Sequence, residues 1–370
     1  MNIGRREFMF GLSASVLLGS KIPATGSENS NIHIVDLANG FYQDRGKTPN
    51  PKEIDNRHLP NHPDLCTVDD VRFLENLQSK GVDTIIRYYS DENNAGITCK
   101  NLTVRERDLL QDFGFAICMV YQFEGRKRGR YRASTAKRDA KFILQRATEV
   151  LNQPEGSAVY IGVDEDADKN PEKDVLDYFR ILNDEVQGRF DIGIYAPGSR
   201  CKAVRDNGLA KYFWVPEAPA WDGTTEFMNS GSWTMYQNKT EMQRSALAVA
   251  DARDIKLDTD LMNPLAGNTI GAFNKDGSIK TYAKSKIEMV AAKRFWVTAG
   301  TANLRETPNG KPIGHMCVAR MVHVLGYQGN WAKVDIDEDG IAEGYIHKKL
   351  LQPLSKKPSY FRSGCKPIQL

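Results

Sequence analysis

The sequence lacks most of the features that mark specialised classes of protein. None of the six cysteines forms a C-x-x-C pair, and the six histidines show no ligand spacing, so we predict no zinc site and no other metal or cofactor. The net charge is only +3 and no long basic run occurs, so nucleic-acid binding is not indicated. After residue 30, no apolar run approaches the roughly 20 residues that a membrane-spanning helix needs.

Residues 1–30 have the anatomy of an export signal. Arg5 and Arg6 precede a weakly apolar stretch over residues 8–19, and small residues follow it. The consecutive arginines resemble a twin-arginine signal, although Gly4 stands where Ser or Thr is usual. We therefore expect the twin-arginine translocase to export the chain, which would be periplasmic or secreted. An ordinary secretory signal or a flexible start of the chain is the alternative.

Eight short apolar runs alternate with helical patterns in the next part of the chain. They cover residues 32–37, 83–89, 115–121, 158–164, 191–196, 212–218, 232–237 and 255–260. Near-continuous apolar runs are typical of parallel strands that are covered on both faces. The alternation predicts a (β/α)₈ TIM-type barrel over residues 31–266. An open doubly wound sheet is the alternative, but no G-x-G-x-x-G turn follows a strand.

Helix boundary signals support this alternation. Thr103 and Glu106 have the spacing of a capping box at a helix start. Gly81 and Gly114 stand where helices should end.

Acidic, aromatic and amide residues follow the predicted strands, at the end of the barrel where active sites form. Carboxylates can protonate or attack a glycosidic bond, and aromatic rings can stack on sugars. An Asp at a strand end can instead cap the next helix. The predicted catalytic residues are Asp36, Asp164, Asp166 and Asp258. The predicted substrate-binding residues are Arg87, Tyr88, Tyr121, Gln122, Tyr195, Trp214, Glu217, Gln237 and Asp260.

The fourth predicted strand gives the most specific hypothesis. Alternate residues of a strand share a side, so Asp164 and Asp166 should face one way and Glu165 the other. Two neighbouring carboxylates can hold different pKa values, with one protonated and one ionised. We assign Asp166 as the acid and Asp164 as its electrostatic partner, with Asp36 or Asp258 positioning the substrate.

The order of the motifs resembles a known family. V-D-L-A-N-G-F, G-V-D-T-I-I-R-Y-Y, A-V-Y-I-G-V-D-E-D, I-G-I-Y-A, Y-F-W-V-P-E-A and W-T-M-Y-Q follow one another as in the glycoside-hydrolase-like family formerly numbered 1906 among domains of unknown function. That family is similar to the family 25 muramidases. The resemblance implies acids at Asp36, Asp164, Asp166 and Asp258, where the muramidases carry Glu instead of Asp166. The shorter acid favours a site that binds without cleaving.

The composition changes after Gly267. We predict a linker over residues 267–290 with a hairpin turn at Asp276-Gly277, and a tail over residues 355–370. Between them, short strands with turn residues indicate a small all-β barrel over residues 291–354.

This C-terminal segment resembles the bacterial SH3-like domain. The matching stretches include A-N-L-R from Ala302 and G-Y-I from Gly344. Such modules are commonly attachments that bind the cell wall or peptides. Core packing is the role that we expect for Trp331 and Tyr345, with ligand contact as the alternative.

Three functions are compatible with this organisation. The chain acts on peptidoglycan or a related envelope glycan as a muramidase-like hydrolase, or it binds such a glycan through a degenerate site. A scaffold for other envelope proteins is the third and weaker hypothesis.

Overall fold

The computed structural model describes ten stretches of the chain. These are residues 34–37, 71–89, 101–125, 127–166, 169–218, 220–239, 258–283, 293–317, 320–336 and 341–354. The predicted signal over residues 1–30 and the predicted tail over residues 355–370 lie outside them. Within these stretches, no helix combines the length and the apolar character that spanning a membrane requires.

Within the described residues, eight strands close into a barrel in sequence order, with helices between them. The strands are β1 (Ile34–Asp36), β2 (Thr84–Tyr89), β3 (Ala116–Tyr121), β4 (Ala158–Gly162), β5 (Asp191–Tyr195), β6 (Tyr212–Val215), β7 (Met235–Lys239) and β8 (Asp258–Met262). The helices are α1 (Val71–Ser79), α2 (Val104–Asp112), α3 (Ala133–Leu144), α4 (Glu172–Val186), α5 (Gly198–Asp206) and α6 (Thr224–Ser230). A π-helical turn, Gln145–Val150, extends α3. The predicted TIM-type barrel is confirmed, and the open doubly wound sheet is excluded.

The predicted boundary signals act locally as expected. The Thr103 hydroxyl accepts the Glu106 N–H at 3.1 Å and caps α2. The Glu106 side chain, however, pairs with Arg87. Gly81 and Gly114 follow α1 and α2 with φ of 80° and 86°, a backbone region that favours glycine. These positive angles end both helices and direct the chain into the next strand.

The direction of the last strand differs from an ideal (β/α)₈ barrel. Strands β1 to β7 pair in parallel, whereas β8 runs antiparallel to both β1 and β7. The first residue of β8, Asp258, therefore lies at the end of the barrel where the other strands finish, which we call the mouth. Asp260 lies two residues deeper. The prediction that both residues end their strand was wrong, because an apolar run carries no signal of its direction.

Residues 267–283 are not a linker. Phe273 exchanges two backbone hydrogen bonds of 2.9 Å with Ile117, and the Ala158 N–H donates to the Gly271 carbonyl at 2.8 Å. A Cβ at Gly271 would lie 2.4 Å from the Ala158 Cβ, so this close approach requires glycine. Because Ile117 and Ala158 lie in the first two residues of their strands, this segment closes the floor of the barrel, opposite the mouth. The apolar side chains that it buries are Ile270, Ala272, Phe273 and Tyr282.

The predicted turn at Asp276-Gly277 is present within this floor segment. Gly277 has a φ of 81°, and Phe273 pairs antiparallel with Ile279 across the turn.

A second sheet follows the barrel. Among the described residues it has seven strands in the order β11-β10-β14-β13-β12-β9-β15. They are β9 (Arg294–Val297), β10 (Thr301–Arg305), β11 (Pro312–Cys317), β12 (Met321–Gln328), β13 (Trp331–Asp335), β14 (Gly344–His347) and β15 (Leu351–Pro353). The small all-β unit predicted over residues 291–354 is thus an all-β sheet with a core of its own. Resemblance to SH3-like domains stays a prediction.

Core packing was the wrong expectation for Trp331 and Tyr345. Both are half-buried, and they alternate with Ala332, Val334 and Ile346, which fill the core of this sheet. Alternate residues of a strand face opposite sides, so Trp331 and Tyr345 lie on the outer face.

The C-terminal sheet packs directly against the barrel. The Trp296 ring lies edge-on to Trp233 and Tyr236, with centroid separations of 6.0 and 5.2 Å. Met321 and Leu354 belong to the same apolar core as these rings. Large buried aromatic contacts of this kind hold two units together. The outer face of β7, where Tyr236 points, is therefore covered by the C-terminal sheet.

Candidate functional site at the barrel mouth

Alternation along the strands brings one set of the predicted residues into the barrel. Trp214 and Tyr88 belong to the apolar cluster inside the barrel, and Tyr195 packs against it. Asp36 and Asp258 are directly opposed across β1 and β8, and opposed residues of an antiparallel pair have their side chains on the same face. The mouth therefore unites aromatic and acidic residues from five strands.

Two sets of hydrogen bonds organise these side chains. The Tyr195 hydroxyl donates to the Gln237 Oε1 at 2.9 Å, and the Gln237 Nε2 donates to the Asp258 Oδ2 at 2.8 Å. The Tyr88 hydroxyl donates to the Asp36 Oδ2 at 2.5 Å. Each carboxylate thus receives at least one neutral donor, which fixes its orientation.

Asp260 lies beneath this layer and is 1% exposed. Burial, and then the carboxylates of Asp36 and Asp258, raise the pKa of Asp260 well above its ordinary value. The indole N–H of Trp214 acts in the opposite direction but does not offset these effects. Asp260 therefore keeps its proton to a higher pH than an exposed aspartate does.

The same acids act on the tyrosine at the mouth. Burial, followed by Asp164, Asp36, Asp258 and Asp260, raises the pKa of Tyr195 well above its ordinary value. Its phenol is therefore neutral and remains a hydrogen-bond donor. The Tyr195 ring also packs against Trp214, with centroids 4.5 Å apart. Asp164 therefore lies near enough to Tyr195 to act on its phenol.

The predicted geometry of Asp164 and Asp166 needs correction. Strand β4 ends at Gly162, so strand alternation does not extend to these residues. Asp164 is half-buried, whereas Asp166 is exposed and its Oδ1 accepts the Asp222 N–H at 2.9 Å. Asp166 therefore ties two loops at the rim. Glu165 points elsewhere, since it is buried and accepts a hydrogen bond from Asn170 at 2.8 Å.

Gln122 lies over the end of β4. A Cβ at Gly162 would be only 2.9 Å from the Gln122 Cγ, so this glycine makes room for the amide side chain. Sequence reasoning did not single out Gly162. A glycine inside a strand run signals such a close approach and would have identified it.

Three of the predicted binding residues do not face the mouth. Arg87 is buried on the outer side of β2, where its guanidinium contacts Glu106 at 2.5 Å. Tyr121 also faces outward, and its hydroxyl donates to Asp139 at 2.8 Å. Glu217 forms an ion pair with Arg320 of the C-terminal sheet. Arg87 and Tyr121 differ from the prediction because residues that are adjacent in a strand face opposite sides.

The chemistry available at the mouth is hydrogen bonding and proton exchange. Within the described ranges, no group of three or more His, Cys, Asp or Glu side chains is arranged to hold a metal ion. Carboxylate and amide acceptors lie beside phenol and amide donors, above an indole ring. Such a set can bind hydroxyl groups, which both donate and accept.

Comparison with known proteins identifies the barrel. The sequence pattern of the Rv2525c-like, glycoside hydrolase-like domain matches residues 75–262, just over half of the chain. The chain is similar to the uncharacterized protein YbfG of Bacillus subtilis, with 25% identity over 186 residues. That match covers 47% of the chain and 25% of YbfG.

Two further similarities accompany this match. The uncharacterized protein FadG of B. subtilis is 24% identical over 206 residues, covering 54% of the chain and 34% of FadG. The chain thus matches only a quarter to a third of the length of these two relatives. The crystal structure of the Mycobacterium tuberculosis Tat-secreted protein Rv2525c with L-tartrate has a TM-score of 0.43 and 16% identity, covering 63% of the chain and 96% of that protein. On the extent of the family match, the chain belongs to the Rv2525c-like, glycoside hydrolase-like domain family.

Proposed function

We propose that the barrel mouth binds a glycan of the bacterial envelope, peptidoglycan or a related polymer. The observation that carries this proposal is the Tyr195–Gln237–Asp258 chain of hydrogen bonds beside Asp36 and Trp214. Tyr195 and Asp258 are half-buried and can meet sugar hydroxyls, whereas Asp36, Gln237 and Trp214 are buried behind them and hold them in place. A mouth lined with such groups from several strands is the usual binding site of a TIM-type barrel.

Binding without cleavage is the function that the geometry favours. Asp166, which the resemblance aligns with the acid of the family 25 muramidases, is exposed and accepts a backbone N–H. Hydrolysis of a glycosidic bond is the second candidate, because burial and the carboxylates of Asp36 and Asp258 raise the pKa of Asp260 well above its ordinary value. Two carboxyl groups with different proton affinities are what glycoside hydrolysis requires.

We propose that the chain works outside the cytoplasm. The Arg5-Arg6 pair and the apolar stretch after it support export by the twin-arginine translocase. Cys317 is disulfide-bonded, which is typical of proteins in oxidising compartments. The C-terminal sheet, in which we propose an SH3-like domain, would then attach the protein to the cell wall.

Sedimentation with purified peptidoglycan sacculi tests binding. We expect the full chain to sediment with the sacculi, and Asp258→Ala to weaken retention about tenfold by removing a carboxylate that is worth roughly 1.4 kcal/mol to the complex. Asp206→Ala, which removes an exposed carboxylate on α5, is the matched control and should bind normally. Failure of the full chain to sediment would contradict the proposal.

Muropeptide release separates the two candidates. A binding protein releases no soluble fragments. Release that Asp36→Asn or Asp258→Asn abolishes would instead establish hydrolysis and displace the binding interpretation.

Export has its own test. Arg5→Lys with Arg6→Lys should block a twin-arginine signal, because that translocase reads the arginine pair itself. We expect the doubly substituted chain to stay in the cytoplasm, in cell fractions probed by immunoblotting. Unchanged export would favour the ordinary secretory route.

A further inference from the structure

The outer face of the C-terminal sheet carries two rows of basic and aromatic side chains. Arg305, Tyr345 and Lys333 are opposed to one another across β10, β14 and β13. His347 and Trp331 form the next row, two residues further along β14 and β13. Opposed residues of antiparallel strands have their side chains on the same face. The five side chains therefore form one surface, which we call the cationic face.

The cationic face is open to a ligand. Lys333 is exposed, whereas Arg305, Tyr345, Trp331 and His347 are half-buried. The apolar core of the sheet lies on the other side of these strands. A ligand can therefore reach the basic groups without separating any strands.

The spacing of the cationic face follows from the regular geometry of the sheet. Neighbouring strands lie about 4.8 Å apart, so the Cα atoms of Arg305 and Lys333, which are two strands apart, are separated by roughly 10 Å. Trp331 lies two residues before Lys333, roughly 6.7 Å along β13. Alternate side chains of an extended peptide have this same spacing of roughly 6.7 Å, so such a peptide can place one at Trp331 and the next at Lys333.

The basic groups of this face are not neutralised by the protein. Among the residues that the structure describes, Arg305, Lys333 and His347 form no ion pair with a carboxylate. The Arg305 Nη1 donates to the Gly310 carbonyl at 2.6 Å, which leaves most of the five guanidinium donors for a ligand. Carboxylates form charge-assisted hydrogen bonds with such groups. The complementary ligand is therefore an anion.

The aromatic residues of the face limit the shape of this anion. The Arg305 guanidinium lies over the Trp331 ring, 5.6 Å from its centroid, and the His347 ring lies edge-on to Trp331 at 5.1 Å. Trp331 therefore presents little flat surface on which a sugar ring can stack. The His347 Nδ1 accepts the Lys349 N–H at 3.3 Å, so the other ring nitrogen carries hydrogen and can donate to the ligand. This arrangement favours an apolar side chain at Trp331, next to a carboxylate.

We propose that the cationic face binds an extended acidic peptide, with its carboxylates at Arg305 and Lys333 and an apolar side chain against Trp331. A polymer of phosphates would use the basic groups without the indole, and a neutral peptide would use the indole without the basic groups. The inference goes beyond the glycan at the mouth, because it gives a ligand to the C-terminal sheet. It rests on the proposed attachment of this sheet to the cell wall for its setting.

The test measures, by fluorescence anisotropy, how the full chain binds a labelled probe peptide, Leu-Ser-Glu-Ser-Glu. Its leucine and both glutamates share one side when the peptide is extended. The variants are Lys333→Glu, Arg305→Gln and Trp331→Ala, and the competitors are the neutral peptide Leu-Ser-Gln-Ser-Gln, poly(glycerol phosphate) and polygalacturonate. Because Lys333 is exposed, Lys333→Glu keeps the test valid if Trp331→Ala does not fold.

Two matched controls lie outside the cationic face. Tyr327→Ala removes an exposed ring from the same sheet, but Tyr327 is opposed to Ala332 and so lies on the core side of the strands. Lys137→Gln removes an exposed basic group from α3 of the barrel. Both variants should bind the probe peptide as the unaltered protein does.

We expect Lys333→Glu to weaken binding of the probe peptide about tenfold, because it replaces an attractive charge with a repulsive one. Arg305→Gln and Trp331→Ala should each weaken it about fivefold, and the neutral peptide should compete about tenfold less well than the unlabelled acidic peptide. No binding by the unaltered protein, or equal binding by Lys333→Glu and Arg305→Gln, would overturn the inference. Tighter binding of either polymer than of the peptide would also overturn it.

The proposed function and this inference fail separately. Binding of the probe peptide by a protein that does not sediment with sacculi would contradict the proposed function and support the inference. Sedimentation with sacculi by a protein that does not bind the probe peptide would support the proposed function and overturn the inference.

Discussion

The two sides of the barrel wall treat buried charge in opposite ways. On the outer side of β2, the Arg87 guanidinium meets Glu106 at 2.5 Å, and both side chains are fully buried. One residue later, on the inner side, Tyr88 donates to Asp36, which lies in a group of acids. Opposite charges neutralise each other outside the wall, while like charges gather inside it. A charged group that stabilises the fold therefore has a neighbour of opposite charge. A charged group of the site has neighbours of like charge.

A second outer network follows the same rule. Asp139 on α3 is fully buried and accepts from Arg130 at 2.5 Å, from Tyr121 at 2.8 Å and from Tyr178 at 2.7 Å. Every bond links β3, α3, α4 or the chain between them, so the network joins the outer layer together. A buried charge that is paired and hydrogen-bonded in this way is expected in a structural role.

The largest effect should come from breaking an outer pair. Glu106→Gln leaves the buried Arg87 guanidinium without its carboxylate and should lower the free energy of unfolding by about 3–5 kcal/mol. Chemical denaturation measures this change. The matched control is Glu185→Gln, since Glu185 forms an exposed pair with Lys137 at 3.8 Å, and exposed pairs contribute under about 1 kcal/mol. Similar losses in both variants would remove the distinction between outer pairs and surface pairs.

Replacing an acid on the inner side should instead raise the free energy of unfolding at neutral pH. The raised pKa lets the folded state hold the Asp260 proton to a higher pH, whereas the unfolded chain releases this proton above a pH of about 4. Stability is therefore lost as the pH rises from about 4 towards the folded-state pKa. Asp260→Asn avoids this loss and should be more stable at pH 7 by about 1–3 kcal/mol.

Thermal unfolding between pH 3.5 and 8 tests this sign. The melting temperatures of the unaltered protein and of Asp260→Asn should converge below a pH of about 4. Asp260 is protonated there in both the folded and the unfolded state. A difference that does not depend on pH, or a less stable Asp260→Asn at pH 7, would show that Asp260 is ionised in the folded protein.

The smallest effect is expected at the rim. Asp166→Asn keeps an oxygen that can accept the Asp222 N–H, and the residue is exposed, so its free energy of unfolding should change by less than about 0.5 kcal/mol. Retention on sacculi should also stay within about twofold, because the amide oxygen of the variant would tie the two loops as the carboxylate of Asp166 does. A severe loss of retention in Asp166→Asn would instead show that the Asp166 carboxylate itself binds the glycan.

Much of the barrel could be predicted from the sequence, because apolar runs and helix boundary signals are local. Strand ends were located closely enough to bring Asp36, Tyr88, Tyr195 and Gln237 into one site. It was harder to predict which side of the barrel wall each side chain faces, since Arg87 and Tyr88 are adjacent and both polar. Their partners decide the side, and Glu106 lies on a separate helix.

Long-range contacts account for the remaining differences. Glu217 finds its partner at Arg320, far along the chain and in another sheet. The floor segment has many polar residues, so it has the composition of a linker, yet it closes the barrel through backbone bonds such as that of Gly271 to Ala158. Trp331 lies on the outer face of β13, whereas Ala332 and Val334 of the same strand fill the core. None of these contacts has a local signal.

A pair of tyrosine substitutions tests the central claim most directly. Tyr121→Phe and Tyr195→Phe each remove one phenol oxygen, the first from Asp139 on the outer side and the second from Gln237 on the inner side. We predict that Tyr121→Phe lowers the free energy of unfolding by about 1–3 kcal/mol and leaves retention on sacculi intact. Tyr195→Phe should keep its stability within about 1 kcal/mol and lose about tenfold in retention. Full retention by Tyr195→Phe, with a selective loss of retention in Tyr121→Phe, would contradict the account.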